Sequence, residues 1–384
     1  MQLINRLMLV SVLAGLSACS TLSSLNPFSS TEKKNVPASL LEFKPAMQVK
    51  AAWTVNLSNA ANYQFTPAIV GQTVYAAAAD GVLVKIDAGT GKVIWRISAE
   101  SRLTAGVGAD ADTIAVAGEK GQLLAYDGNG KLRWKVGQLN EILSSPAVAS
   151  GLVVVRSIDN KITAFDAKTG EKKWANERPL PALTLRAAPG ILFAQQQVLV
   201  ALPGGRIASF AAANGNLRWE AVVGEPKGAT ELERVADVSG APVVVGGDLC
   251  ATSYQGRVGC FDLNTGAARW TKTLSSEAGV GADQRFVFAV DVNSAINAYN
   301  RDGGASAWRN DKLLHRRLTA PASFDRAIAV GDLAGYVHFL SREDGAMLAR
   351  IATDGSQIMG APQVLGSAVI VQTRAGALTA LTTE

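Results

Sequence analysis

Two histidines and three cysteines supply all the imidazole and thiol groups of this 384-residue chain. Neither histidine is set up for catalysis. His338 alternates with Tyr336 and Leu340 as a wall residue of a strand, and His315 lies among Lys312, Arg316 and Arg317 on a loop. A hydrolytic triad needs a histidine beside a nucleophile, and the Gly-x-Ser-x-Gly turn that presents such a serine is absent. A His-rich metal site has equally few candidates. Cys250 and Cys260 flank a tight turn around Gln255-Gly256. In an oxidising compartment they either pair across a hairpin or, with the register off by one residue, remain two buried thiols. Asp87, Asp127, Asp166 and Asp262 recur just ahead of a glycine, where a carboxylate accepts turn N–H groups and glycine supplies the positive φ; they read as turn formers, not metal ligands. The residues predict no catalytic group, no metal and no cofactor.

The elements that carry these residues follow one repeated phrase: a Gly turn, an alternating strand, a polar turn ending in Gly, then Trp four residues later. The clearest copies end in Gly91 with Trp95 and in Gly170 with Trp174. Others end in Gly130 and Trp134, Gly215 and Trp219, Gly266 and Trp270, and Gly304 and Trp308. A further copy has Gly345 followed by Ala349, so its Trp is lost. The last begins at Gly376 and runs out of chain, while Trp53 stands near the start with no such phrase before it. The two halves complete each other. Signature positions 53, 95, 134, 174, 219, 270, 308 and 349 are 38–51 residues apart, which fits one four-stranded blade per repeat. The expected fold is an all-β, eight-bladed β-propeller of four-stranded antiparallel blades, closed by an N-terminal strand pairing with the C-terminal blade. In the third repeat, period-2 alternation places strands at residues 144–149, 152–157, 161–166 and 172–176. Every tryptophan occupies the repeat position and reads as packing between blades.

The N-terminus has one cation, Arg6, then an apolar run over residues 7–16 and small residues up to Cys19. A run of about ten residues is well short of the roughly 20 that a membrane-crossing helix needs, so it reads as an export signal that is removed. Leu16-Ser17-Ala18-Cys19 resembles the lipobox of bacterial lipoproteins, which implies acylation of Cys19 and stable anchoring by several chains. Ser20, where inner-membrane retention uses Asp, implies the periplasmic face of the outer membrane. The expected organisation is a signal peptide over 1–18, a lipidated flexible tether over 19–45, rich in Ser, Thr, Asn and Pro, and a propeller over 46–384. With 37 basic and 32 acidic residues, a formal charge of +5 and no basic run interleaved with aromatics, nucleic acid is not an expected partner.

Ala164, Asp166, Thr169, Gly170 and Trp174 form an Ala-x-Asp-x-x-Thr-Gly-x-x-x-Trp phrase. It resembles the repeat of pyrroloquinoline quinone dehydrogenases and their non-enzymatic relatives. With the lipobox, the length and eight repeats, the chain resembles the propeller lipoproteins of the outer-membrane β-barrel assembly machine. That resemblance implies a scaffold that binds the POTRA domains of the insertase BamA, and through it the assembly complex, and assists insertion of unfolded outer-membrane proteins. It implies docking through Leu183, Leu185 and Arg186 of a Leu-x-Leu-Arg segment, and through Arg234 and Asp237 of the acidic loop that ends at Ser239, where the family can carry a second Asp. Spacing points to the same place. From signature Trp to the next inner-strand Pro is 12 residues at Trp134 and 15 at Trp174 but 23 at Trp219. Connections from an outer strand to the next inner strand share one face of a propeller, so residues 179–186 and 224–239 are expected to form one patch of leucines, arginines and carboxylates. Outer strands also leave edges able to take an extended client strand. The rival reading is a periplasmic quinone-dependent dehydrogenase, which would need Ca²⁺, a base and, in many members, adjacent cysteines; Cys250 and Cys260 are ten apart.

Overall fold

The computed structural model describes residues 35–383; the expected signal peptide, Cys19 and the first part of the expected tether lie outside the described residues. From Pro37 onward the chain forms one compact unit of eight four-stranded antiparallel sheets. Blades 1 to 7 span 68–98, 103–136, 147–177, 191–222, 238–273, 280–310 and 322–352. Blade 8 takes three strands from 363–383 and its outer strand, Val49–Asn56, from the other end of the chain. That closure is antiparallel, from Val49 opposite Thr383 to Asn56 opposite Ala377, with a bulge between Ala51 and Trp53. In blade 3 the strands are Ala147–Ala149, Leu152–Arg156, Lys161–Asp166 and Lys172–Glu177. The innermost is shorter than expected, since Ser144 to Pro146 make no ladder there. Among the described residues the one helical element is a 3-10 turn at Glu119–Gly121, and no helix is long and apolar enough to cross a membrane.

The apolar core divides into eight clusters, one between each neighbouring pair of blades. Seven are fastened alike. The Trp of each outer strand donates its indole N–H to a carbonyl in the glycine-ended turn between the third and fourth strands of the next blade: Trp53 to Ala88, Trp95 to Gly128, Trp134 to Ala167, Trp174 to Ala212, Trp219 to Leu263, Trp270 to Arg301 and Trp308 to Arg342, at 2.5–3.1 Å. The turn glycine lies flat on the ring. At Gly266, φ is +71° and an added Cβ would fall 2.5 Å from the Trp219 ring, so both the backbone conformation and the space demand glycine. The aspartate shapes the same turn: Asp262 Oδ1 accepts the N–H groups of Asn264 and Thr265 at 3.0 Å.

The eighth interface, between blades 7 and 8, has neither part. Ala349 stands at the Trp position, and blade 8 has no turn to receive a ring because its last two strands come from opposite chain ends. An N-terminal strap takes their place. The stretch expected to remain flexible as far as Pro45 is already bound to the propeller from Ala38. Ala38 exchanges hydrogen bonds with Leu314 O and Arg316 Nη1. Arg350 holds Leu41 O at 3.1 Å and lies over the Phe43 ring. Arg326 holds Ala46 O at 2.7 Å, and the Ala46 and Met47 N–H groups reach Leu348 O. Met47 is buried against the cluster that holds Ala349 and Leu381. The boundary set by composition at Pro45 therefore moves back to Pro37, because the strap is bound through backbone carbonyls.

His338 is the buried wall residue expected of it, with Nε2 2.9 Å from Asp332 Oδ2. Arg316, read as a loop residue, is also buried and places Nε 2.7 Å from the same oxygen.

Candidate functional site

The two segments expected to share a face are joined by one side chain. Asp237 lies just ahead of the innermost strand of blade 5, Val238–Val245. Its Oδ2 accepts the Leu185 N–H at 2.5 Å and its Oδ1 the Gly204 N–H at 2.8 Å. One carboxylate thus ties the connection between blades 3 and 4 to a turn of blade 4. Asp237 is only 5% exposed; both oxygens are engaged internally, and it positions the loop. Burial pushes its carboxyl above the ordinary range, against the two amides and the nearby Arg156, which favour the charge. Ser239 is likewise interior, donating to Ser276 O at 2.6 Å.

Leu183 is exposed, Leu185 half-buried and Arg186 exposed. Arg186 reaches back over blade 3 to Glu141 at 2.6 Å, an exposed pair of small net worth that leaves the guanidinium available. The base of this connection is fixed by Asn160, whose Nδ2 donates to Pro179 O at 2.9 Å, and by Glu220, which pairs with Arg178 and with Arg206. Arg234 turns towards its own loop, with Nε 3.1 Å from Gly228 O and Nη1 3.6 Å from Glu231. It lies on the same face as the Leu-x-Leu-Arg segment, and its hydrogen bond and ion pair are both within its own loop.

The long loop is ordered by a feature the sequence reading passed over. Thr230 Oγ1 accepts the Glu233 N–H at 3.3 Å, and Glu233 Oε2 accepts the Ala229 and Thr230 N–H groups at 2.8 and 3.0 Å. This is a reciprocal capping box around a single turn. It thrusts Leu232 outward, 70% exposed. The Thr-x-x-Glu spacing was the signal that would have picked out Leu232. Leu180 and Ile158 are also exposed on this face, Ile158 on the turn that joins the second and third strands of blade 3. Isolated apolar side chains on a surface need no explanation, but several around ordered loops with arginines are suited to recognition.

These features define an eight-bladed propeller of quinoprotein-type repeats, fastened alike at seven interfaces and strapped at the eighth, with two long connections side by side on one face. Its sequence matches the family model described as outer membrane protein assembly factor BamB over residues 48–100, 79–310 and 292–384, and the chain belongs to that family. The BamB of Bordetella pertussis is 43% identical over 368 residues, covering 96% of this chain and 95% of its own. The crystal structure of BamB from Moraxella catarrhalis is 26% identical with a TM-score of 0.80, covering 87% of this chain and all of that one. Quinohemoprotein alcohol dehydrogenase from Comamonas testosteroni shares the fold at 14% identity, with a TM-score of 0.68 over 87% of this chain and 76% of that chain.

Proposed function

We propose that this chain is a non-catalytic scaffold lipoprotein of the outer-membrane β-barrel assembly complex. It is anchored through Cys19 at the periplasmic face of the outer membrane, docks on the POTRA domains of BamA and assists insertion of barrel proteins. The observation that carries the reading is the Asp237 tie. By holding the Leu185 and Gly204 amides together it presents Leu183, Leu185 and Arg186 on a fixed support, with Arg234 and Leu232 on the capped turn of the adjacent connection. Preformed loops lose little entropy on binding, and leucine and arginine anchors ringed by polar groups suit a protein partner.

The quinone-dehydrogenase reading does not fit the donors present. Cys250 and Cys260, opposite each other across the hairpin, are joined in a disulfide inside the core of blade 5. Among the described residues no group of three or more His, Cys, Asp or Glu side chains is placed to hold a cation. Docking is tested by co-purification from detergent-solubilised membranes. Leu185→Ala combined with Arg186→Ala is expected to cost about 2 kcal/mol or more per anchor and to deplete BamA from the eluate; unchanged recovery would remove the assigned patch.

A further inference from the structure

Arg156 closes the second strand of blade 3, Leu152–Arg156, directly beneath the Leu183–Arg186 segment. It is 9% exposed, yet among the described residues its guanidinium makes one hydrogen bond, a long one of 3.4 Å from Nη1 to Asn160 Oδ1, and its buried Nε has no partner. Arg178 and Arg301 share the unpartnered Nε, but each has a carboxylate partner, Glu220 and Asp248, and Arg316 has Asp332 at 2.7 Å and Ala38 O at 3.0 Å; Arg156 has no such ion pair among the described residues. Two carboxylates near Arg156 attract it without pairing. Asp237 is committed to Leu185 and Gly204, and Asp159 to Asn140 and Ser157. Burial, only partly offset by these two charges, pushes Arg156 down to about 10. A guanidinium taken from water without its hydrogen bonds is costly and draws in an acceptor.

An opening reaches it from the docking face. Arg156 lines a small, mostly polar cleft with Ile158, Thr184, Leu185, Pro203 and Asp237, so the Asp237-held loop surrounds an underused cation. We propose that this cleft receives one acidic side chain of the docked partner, whose carboxylate enters beside Leu185 and completes the hydrogen bonding of Arg156. A planar guanidinium suits a carboxylate bidentately, and seclusion from solvent strengthens the pair. The inference rests on the docking reading and adds to it a specificity determinant, since a neutral side chain in the same place would leave the cation unpaired.

The test titrates the full-length lipoprotein in detergent against the purified periplasmic region of BamA, with parent, Arg156→Met, Arg156→Lys and Leu183→Ala compared. Arg156→Met is expected to weaken binding about tenfold or more and Arg156→Lys to recover part of the loss. A scan of Asp→Asn and Glu→Gln changes in the partner should yield one that weakens binding to the parent similarly and adds nothing on Arg156→Met, a coupling a merely structural role would not produce. If Arg156→Met folds poorly, the same scan against Arg156→Lys replaces it. Parent-like binding by Arg156→Met, or additivity of every acidic change, overturns the cleft. Loss in Leu183→Ala with no effect of Arg156→Met leaves docking standing and removes only the cleft; no effect of either removes both.

Discussion

Seven of the eight interfaces between blades are fastened by a tryptophan driven into the turn of the next blade, and the interface between blades 7 and 8 is not. The seven are made within neighbouring stretches of sequence: the Trp and its receiving turn are 31–44 residues apart. At the eighth, the ring has to join its own ends, and a turn of the repeat type cannot exist where the third and fourth strands come from opposite termini. Ala349 therefore has no turn to fill, and Met47, delivered by the strap, is buried beside it. The difference teaches that the Trp is useful only with its glycine turn, and that losing both together is consistent where losing one alone would not be.

The largest expected effect breaks a regular fastening. Trp219→Ala removes a buried ring and its hydrogen bond to Leu263 and is expected to cost about 3–5 kcal/mol, read as a lowered midpoint in urea unfolding. Next, Met47→Ala tests the seam. If the strap fills the place of the missing Trp, the loss should be about 2–3 kcal/mol; a loss below about 0.5 kcal/mol would mean the seam is held by strand pairing alone. The smallest effect is a pH dependence beside the strap. Burial keeps His338 below its ordinary value. Burial pushes Asp332 up, but hydrogen bonds from His338, the Tyr336 N–H and Arg316 outweigh it and hold the carboxyl low. Both groups bind protons more readily in the unfolded chain, so stability is full above the ordinary histidine value of about 6.5 and declines as pH falls below it. A thermal midpoint that drops between about pH 7 and pH 5, with a shallower drop in His338→Gln, is expected; a drop of equal steepness in the variant would assign the effect elsewhere.

Blade count, strand order and closure were legible because a turn Gly followed four residues later by Trp repeats along the chain. The strap was not. Arg316, Arg350 and Arg326 take the carbonyls of Ala38, Leu41 and Ala46, and no side-chain pattern marks a backbone acceptor, so a polar, Pro-containing stretch looked like a linker. Topology was enough to put the Leu-x-Leu-Arg segment and the long loop on one face. The burial of Asp237 was not legible, because it depends on amides 52 and 33 residues away. Arg156 escaped notice for a related reason: at the end of an apolar strand nothing in its neighbours shows how poorly it is partnered.

Pairing of Val49–Asn56 with Ala377–Thr383 also dictates a timetable. A chain made from its N-terminus offers Val49–Asn56 before any other described strand, yet the complement of that strand follows all the others. Seven sheets can form in turn, each against its predecessor, while the circle stays open. Arrival of Ala377–Thr383 is then the event that shuts it, so a chain lacking that one strand would be left with a full set of earlier blades and no way to close.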